Sequence, residues 1–509
     1  MQRWQCTSPV SAMRIWLFFF ALAILVVPLA RAAEHQPLNI ESRLELFVDR
    51  FLIDRLEGTR LELHRPRPAG VVIRPDTPWE KNARYADPPY GWGRLVIKDA
   101  DRYVMYYQVV SQINYAESLD GIHWKKPILG LIEVQGNRNN NGIGTTDGVP
   151  FFDAATQPAA MAFLDTRPDV PADERYKVIW PNQGHPWNET WAWVSADGKL
   201  FRKLQDKPII RIDNTATRSC FDGGWSIFWS EHEQRYVIYT RRKVFNKQGQ
   251  EHRGTCRMTS KNFVDWSDPE PMTYGQFGEF PPENIHTDRT RPYFRAPHIY
   301  ISLAARLMEA RGTPTEEQAR RMSVVNKYGM RPCETVLMTT RGNNRFDTTF
   351  REAFVRPGIK RDDWLWMSNY TMESVVPTSD EEMSLYVHRH VGNPAWYFER
   401  MVLRTDGFAS INAPFAGGEM VTKPLLFSGR ELVINYSTGA AGSVRVEIQN
   451  TDGQPVPGFS QEESREIFGD EIERVVQWQS GSDVNKLAGL PVRLRFIMKD
   501  ADLYSLRFR

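Results

Sequence analysis

Arg102-Tyr-Val-Met-Tyr-Tyr107, then Ile113 to Ser118, then Leu119-Asp-Gly-Ile-His-Trp124, is the stretch that decides the fold. It reads as an aromatic, β-branched strand, a second strand, and a tight turn in which Asp-Gly supplies positive φ. The apolar run Arg94-Leu-Val-Ile-Lys98 ahead of it completes a three-stranded unit. The same order then recurs along the chain.

A second unit offers Ala160-Met-Ala-Phe163, Arg175-Tyr-Lys-Val-Ile-Trp180 and Trp191-Ala-Trp-Val-Ser195-Ala-Asp-Gly198. A third offers Trp225-Ser-Ile-Phe-Trp229, Arg235-Tyr-Val-Ile-Tyr239 and Thr255 to Ser260. A fourth holds His298-Ile-Tyr-Ile-Ser302 and Thr335-Val-Leu-Met-Thr339; a fifth holds Glu373-Ser-Val-Val376, Met383-Ser-Leu-Tyr-Val387 and Met401-Val-Leu-Arg404-Thr-Asp-Gly-Phe408. Third strands end at Ser118, Ser195, Ser260, Thr340 and Arg404, spacings of 77, 65, 80 and 64 residues that suit blades with long loops. The pattern predicts an all-β chain with a five-bladed β-propeller over residues 40–413; an irregular β-sandwich is the alternative. After Ala413-Pro-Phe-Ala-Gly-Gly418 the repeat stops, and the alternating strands of residues 419–509 predict a C-terminal β-sandwich. One short helix is expected from the capping box Thr315-Glu-Glu-Gln318 to about Met322.

The turn motif Ser118-Leu-Asp-Gly recurs as Ser195-Ala-Asp-Gly and Arg404-Thr-Asp-Gly, and its reading is structural: a tight turn followed by an aromatic that packs between blades.

Composition narrows the class. Sixteen Trp, 18 Tyr and 27 Phe suit strands and sugar-binding faces alike. Residues 1–32 carry Arg3, Arg14, Arg31 and no acid, which leaves −1 of the +2 formal charge on the remainder. Nothing in that balance suggests nucleic acid or an anionic membrane. Arg14, the apolar run Ile15 to Val27, Pro28 and Ala30-Arg31-Ala32 read as a signal peptide over residues 1–32, shorter than a spanning helix, and predict a secreted or periplasmic protein with no membrane partner after cleavage. Cys220, Cys256 and Cys333 cannot all pair, so at most one disulfide is expected and no catalytic thiol.

In a propeller the first strand of each blade lines a central funnel, so carboxylates just ahead of those strands are the candidates for chemistry. They are Asp87, Asp147 or Asp153, Asp222, and Glu283 with Asp288; Glu373 opens the fifth unit. A glycosidase needs two carboxyl groups, one protonated and one ionised. Asp222, followed by Gly-Gly and an aromatic strand, is the strongest single candidate. The fourth unit adds a cationic cluster, His286, Arg289, Arg291, Arg295, His298 and Arg306, suited either to gripping an anionic group or to pairing with the funnel acids. Trp92, Trp225, Trp229 and Trp364 are candidates for stacking on sugar rings, with a core role as the competing reading. His388-Arg-His390 has a metal-compatible spacing but no third ligand, so no metal and no cofactor are expected; a structural cation in the funnel is the one addition the acids allow.

Phe47-Val-Asp-Arg-Phe-Leu-Ile53, Arg102-Tyr-Val-Met-Tyr-Tyr107, Tyr115-Ala-Glu-Ser-Leu-Asp-Gly-Ile-His-Trp-Lys-Lys-Pro127, Arg291-Pro-Tyr-Phe-Arg-Ala-Pro-His-Ile-Tyr300 and Leu403-Arg-Thr-Asp-Gly-Phe-Ala-Ser410 together resemble secreted bacterial proteins similar to glycoside hydrolase family 32. The resemblance covers roughly residues 40–509, including Gly469-Asp-Glu-Ile472 and Ala501-Asp-Leu-Tyr504, and is distant to the characterised families 32, 43 and 117. It implies a five-bladed propeller with a C-terminal sandwich and one acid from each of the first three blades: Asp87, Asp147 or Asp153, and Asp222. The Asn-Asp-Pro-Asn-Gly, Arg-Asp-Pro and Glu-Cys motifs of family 32 are missing, so fructan cleavage is not implied, and Glu283 or Glu373 is left to supply the general acid.

The expectation is an exported glycoside hydrolase acting on an oligo- or polysaccharide. The rivals are a carbohydrate-binding propeller without chemistry, and a phosphorylase or lyase that uses the Arg/His cluster.

Overall fold

The computed structural model describes residues 36–81, 91–109, 112–134, 136–147, 161–181, 189–211, 225–245, 249, 251–308, 315–321, 331–391 and 395–509. Residues Pro37–Arg509 form one compact unit. The expected leader, and Asp87, Asp153, Cys220 and Asp222, lie outside the described residues.

Five antiparallel sheets follow one another in chain order. The first blade is Gly91–Asp99, Arg102–Val109 and Gln112–Ser118. The second runs Met161–Leu164, Tyr176–Pro181, Glu189–Ser195 and Leu200–Lys203, with Gly144–Thr145 added in parallel at its outer edge. The third is Trp225–Ser230, Arg235–Phe245, Glu251–Ser260 and Glu270–Pro271. In the fourth, the inner strand is broken into Asn284–Thr287 and Thr290–Tyr293, both paired with Ala296–Leu307, and Cys333–Thr340 and Ala353–Val355 follow. The fifth pairs Tyr370–Thr371 and Val376–Pro377 with Glu382–Arg389, then Tyr397–Arg404. Its outermost strand is Arg67–Ile73, from the beginning of the chain, so the ring is closed by a strand the repeat pattern did not count.

The recurrent Arg-Tyr pair has a packing reason. Each tyrosine hydroxyl reaches back to the end of the preceding blade's inner strand: Tyr103 to the Pro377 carbonyl at 2.6 Å, Tyr176 to Asp99 at 2.5 Å and Tyr236 to Asp165 at 2.7 Å. Tyr300 meets Ser230 in the same way at 2.5 Å. These bonds give neighbouring blades a polar register inside an aromatic core, where an unpartnered hydroxyl would be costly.

The recurrent turns are built as the sequence suggests. Ser118 Oγ accepts the Gly121 amide at 2.9 Å, and Asp120 Oδ1 accepts the amides of Ile122 and His123 at 2.8 Å. Ser195 with Asp197, and Ser260 with Asn262, repeat the arrangement. These acids serve the turns.

The C-terminal strands form an antiparallel sheet around Leu432–Gln449 and Arg493–Phe508, with Ala409–Ala413, Gly418–Thr422 and Asp470–Val475. Glu45–Leu46, Ile53–Glu57 and Arg60–Leu63 join it, so strands from both chain ends complete one module around Trp478, Phe459 and Phe496. The short helix occupies Glu316–Arg321, close to its expected span. Among the described residues no helix is long and apolar enough to cross a membrane.

Candidate functional site

The inner strands of the first and fifth blades meet at the axis. The Val96 amide donates to the Glu373 carbonyl at 3.2 Å, and the Glu373 amide to the Arg94 carbonyl at 2.9 Å. Gly93 permits this approach, because a Cβ there would meet Met372 Cε at 2.3 Å. Glu373 is thereby fixed with its side chain buried beside the fourth blade, where Arg291 Nε donates to its Oε2 at 2.9 Å. Burial pushes the Glu373 carboxyl above its usual range, while Arg291 and Arg289 oppose the shift.

A second buried carboxyl sits at the break in the fourth blade's inner strand. Asp288 accepts the Thr290 hydroxyl on Oδ1 and the Thr255 hydroxyl on Oδ2 at 3.2 Å. Its main-chain carbonyl accepts Ser226 Oγ at 3.3 Å, which ties it to the third blade. Burial raises its pKa to about 7, with the charge of Glu373 adding to the rise and the two threonine hydroxyls restraining it. The break also turns Arg289 inward: its Nη1 approaches the Gly93 carbonyl at 3.4 Å and its Nε the Thr287 hydroxyl at 3.5 Å. No carboxylate pairs with it among the described residues, and desolvation lowers its pKa to about 10.

Around Arg289 stand two buried imidazoles. His388, at 0% exposure, stacks on Trp92 at 6.5 Å between ring centroids and meets Tyr370 edge-on at 5.7 Å. Neither of its ring nitrogens has a hydrogen-bond partner among the described residues. His286 lies 5.7 Å from Tyr370 and 6.2 Å from Trp366, with Nδ1 equally orphaned. Burial first, and then Arg289 with other arginines, holds both rings well below the usual imidazole pKa, so both are neutral at pH 7. Trp92 and Trp366 are half-buried and form the outer border of the group, with the Arg94 guanidinium 4.3 Å over the Trp92 ring.

Of the residues expected from sequence, Glu373, Arg291, His286 and Trp92 therefore meet at one place. Asp147 is exposed, just after the outer-edge strand Gly144–Thr145. Glu283 is half-buried and engaged by Arg351 and, at 3.6 Å, by Arg306, which also pairs with Glu334. Trp225 is 1% exposed within the core shared by the first three blades, so it presents no face to a ligand; Trp229 is buried there too. Arg295 and His298 belong to the opposite end of the fourth blade. Arg295 pairs with Asp406 at 2.8 Å and Glu473 at 2.7 Å, and His298 with Glu45 at 3.0 Å, so both fasten the propeller to the strands of the chain ends. A cavity of about 870 Å³ opens at this junction, among Phe294, Arg295, Asp380, Glu381 and Asp470, away from the axial group.

His388 and His390 do not act together: the chain turns at His390, whose φ is 56°, and its Nε2 meets Asp363 at 2.8 Å. Among the described residues no three His, Cys, Asp or Glu side chains are grouped to hold a metal ion. Cys256 and Cys333 are both buried, and Cys333 is a free thiol.

No family model matches the chain, and no curated protein sequence matches it. Solved structures do resemble it. A thermostable family-43 glycoside hydrolase is 10% identical, covering 65% of this chain and 95% of its own, with a TM-score of 0.40. A fructofuranosidase from Schwanniomyces occidentalis complexed with fructosylnystose is 10% identical, covering 87% and 96%, with a TM-score of 0.35. An N-acetylgalactosamine deacetylase from F. plautii, in complex with blood group B trisaccharide, is 11% identical, covering 68% and 96%, with a TM-score of 0.38. The fold itself rests on the strand pairing of the five sheets.

Proposed function

We propose that this protein is an exported glycoside hydrolase that cleaves a glycosidic bond in an oligo- or polysaccharide. The observation that carries the reading is the axial group: two buried carboxyls with raised pKa values, next to imidazole nitrogens without hydrogen-bond partners among the described residues and bordered by half-buried indoles. Such a place supplies part of what glycoside hydrolysis asks for, namely a carboxyl able to hold a proton and aromatic surface for a sugar ring. Asp87, Asp153 and Asp222 stand four, eight and three residues ahead of the first three inner strands, which begin at Gly91, Met161 and Trp225. That position motivates assigning them the reaction, with Asp222 as one of the working pair.

The site is therefore read as a saccharide funnel in which Asp222 and a second acid attack or activate water and protonate the leaving oxygen. Asp288, whose pKa is raised to about 7 by burial, is the described carboxyl best suited to stay protonated there. The leader-like residues 1–32 support export to the periplasm or beyond. The rival lyase or phosphorylase reading keeps only part of its cluster, because Arg291, Arg295, Arg306 and His298 are each committed to a carboxylate, which leaves Arg289 and His286 to meet an anion.

The test is turnover on a panel of plant and algal glycans, scored for new reducing ends. Asp222→Asn is expected to abolish turnover while leaving saccharide binding intact. Absence of turnover by the wild type across the panel, with binding retained, turns the reading to a non-catalytic carbohydrate-binding propeller.

A further inference from the structure

We infer that the axial group is a subsite for an acidic substituent of the sugar, a carboxylate or a sulfate ester, gripped by Arg289 and hydrogen-bonded by His388 and His286. The inference rests on the hydrolase reading for its saccharide and goes beyond it in naming the class of saccharide.

Three independent features point the same way. First, Arg289 is a cation removed from water without a carboxylate partner among the described residues, since Glu373 is taken by Arg291 and the oxygens of Asp288 by Thr290 and Thr255. A buried charge is normally neutralised by a partner in contact with it, and among the described residues Arg289 has only the longer-range attraction of Glu373. Secondly, both nitrogens of His388 and Nδ1 of His286 are buried without hydrogen bonds among the described residues. Buried polar atoms are rarely left so unless something else satisfies them. Neutral imidazoles each offer one N–H, and such donors suit an oxyanion without adding a second net charge. Thirdly, Trp92 stacks on His388 and Trp366 lies edge-on to His286, so half-exposed indoles border the donors. A sugar ring beside these indoles would carry its acidic substituent toward the guanidinium, which binds carboxylate and sulfate through paired N–H groups.

The experiment uses the whole protein and matched oligosaccharides that differ only in charge. Titration calorimetry compares oligogalacturonate with its methyl ester, and a sulfated galactan oligosaccharide with its desulfated form, at constant ionic strength. The charged member of at least one pair is expected to bind about tenfold tighter or more, and whichever pair shows the difference identifies the substituent. Arg289→Gln should erase that difference, whereas Arg289→Lys should retain part of it with the same thermal unfolding profile. Trp92→Ala, outside the buried centre, should weaken charged and neutral members alike. Equal binding within both pairs, or a charge preference unchanged in Arg289→Gln, overturns the inference. So does inorganic sulfate binding as tightly as the sulfated saccharide, which marks an adventitious ion only. Because these are binding measurements on an otherwise unaltered protein, they fail independently of the turnover test. Hydrolysis of neutral glycans alone with no charge preference sinks the acidic subsite and spares the hydrolase; a charge preference without turnover does the reverse.

Discussion

Tyr236 donates its hydroxyl to Asp165 Oδ2 at 2.7 Å, joining the second strand of the third blade to the end of the second blade's inner strand. Asp165 is buried, and its other close charge is Lys177 Nζ at 3.3 Å. Tyr236→Phe deletes one hydroxyl and leaves a buried carboxylate one donor short. The expected cost is about 1–3 kcal/mol, read as a lower urea midpoint with an unchanged slope. An unchanged midpoint would deny these tyrosines a part in holding blades together.

Gly198 makes a related prediction. Its φ is 76°, and a Cβ would meet Tyr106 Oη at 2.4 Å and the Tyr176 ring at 2.9 Å. Gly198→Ala therefore combines strain with a clash at the seam between the first two blades, worth about 1–3 kcal/mol. By contrast, Asp120→Asn, in the equivalent turn of the first blade, should leave turnover untouched, because that acid faces backbone amides. Loss of activity in this variant would contradict the structural reading of the turn.

Asp288 gives the fold a pH dependence of definite sign. Folded, it keeps its proton up to about pH 7; unfolded, an aspartate releases it near pH 4. Between these limits the folded state binds more protons, so stability falls as pH rises from about 4 to about 7, by up to about 1.4 kcal/mol per pH unit. Glu373, also raised, contributes with the same sign. Asp288→Asn should flatten this part of the curve in urea melts. Parallel wild-type and variant curves between pH 4.5 and 7.5 would refute it.

Glu283, engaged by Arg351 and Arg306, is expected to be dispensable for chemistry. Glu283→Gln should keep turnover and lose about 1 kcal/mol of stability or less, as partly exposed ion pairs do. If it silences the enzyme as completely as Asp222→Asn, Glu283 is the general acid instead.

The blades were readable because their period is carried by local chemistry: strand alternation, the Arg-Tyr pair and the Ser-x-Asp-Gly turn. Ring closure was hidden, since nothing in Arg67–Ile73 announces a partner more than 300 residues away in Tyr397–Arg404. The merging of the chain ends into one sheet was hidden for the same reason. At the axis, position before a strand pointed to Glu373, and the cationic run pointed to Arg291 and His286. It could not separate these from Arg295 and His298, because only the hairpin at Tyr293 and Ala296 sends the latter pair to the other end of the blade. Trp366 and Trp364 carry no local pattern that separates them, because they sit at the end of a 3-10 turn, Arg361–Trp364; Trp364 is the more exposed and bonds the Gly358 carbonyl at 3.2 Å. His388 was considered only as a ligand paired with His390, and the left-handed turn at His390 separates them.

The closing strand also sets an order of events. Arg67–Ile73 is made early, yet its neighbour Tyr397–Arg404 comes more than three hundred residues later, and Glu45–Leu46 waits for Ser505 and Leu506. A chain made from its N-terminus thus leaves these early strands without native partners until residues 397–404 and 505–506 have been made. The topology therefore makes ring closure and completion of the terminal sheet late events in the life of the chain.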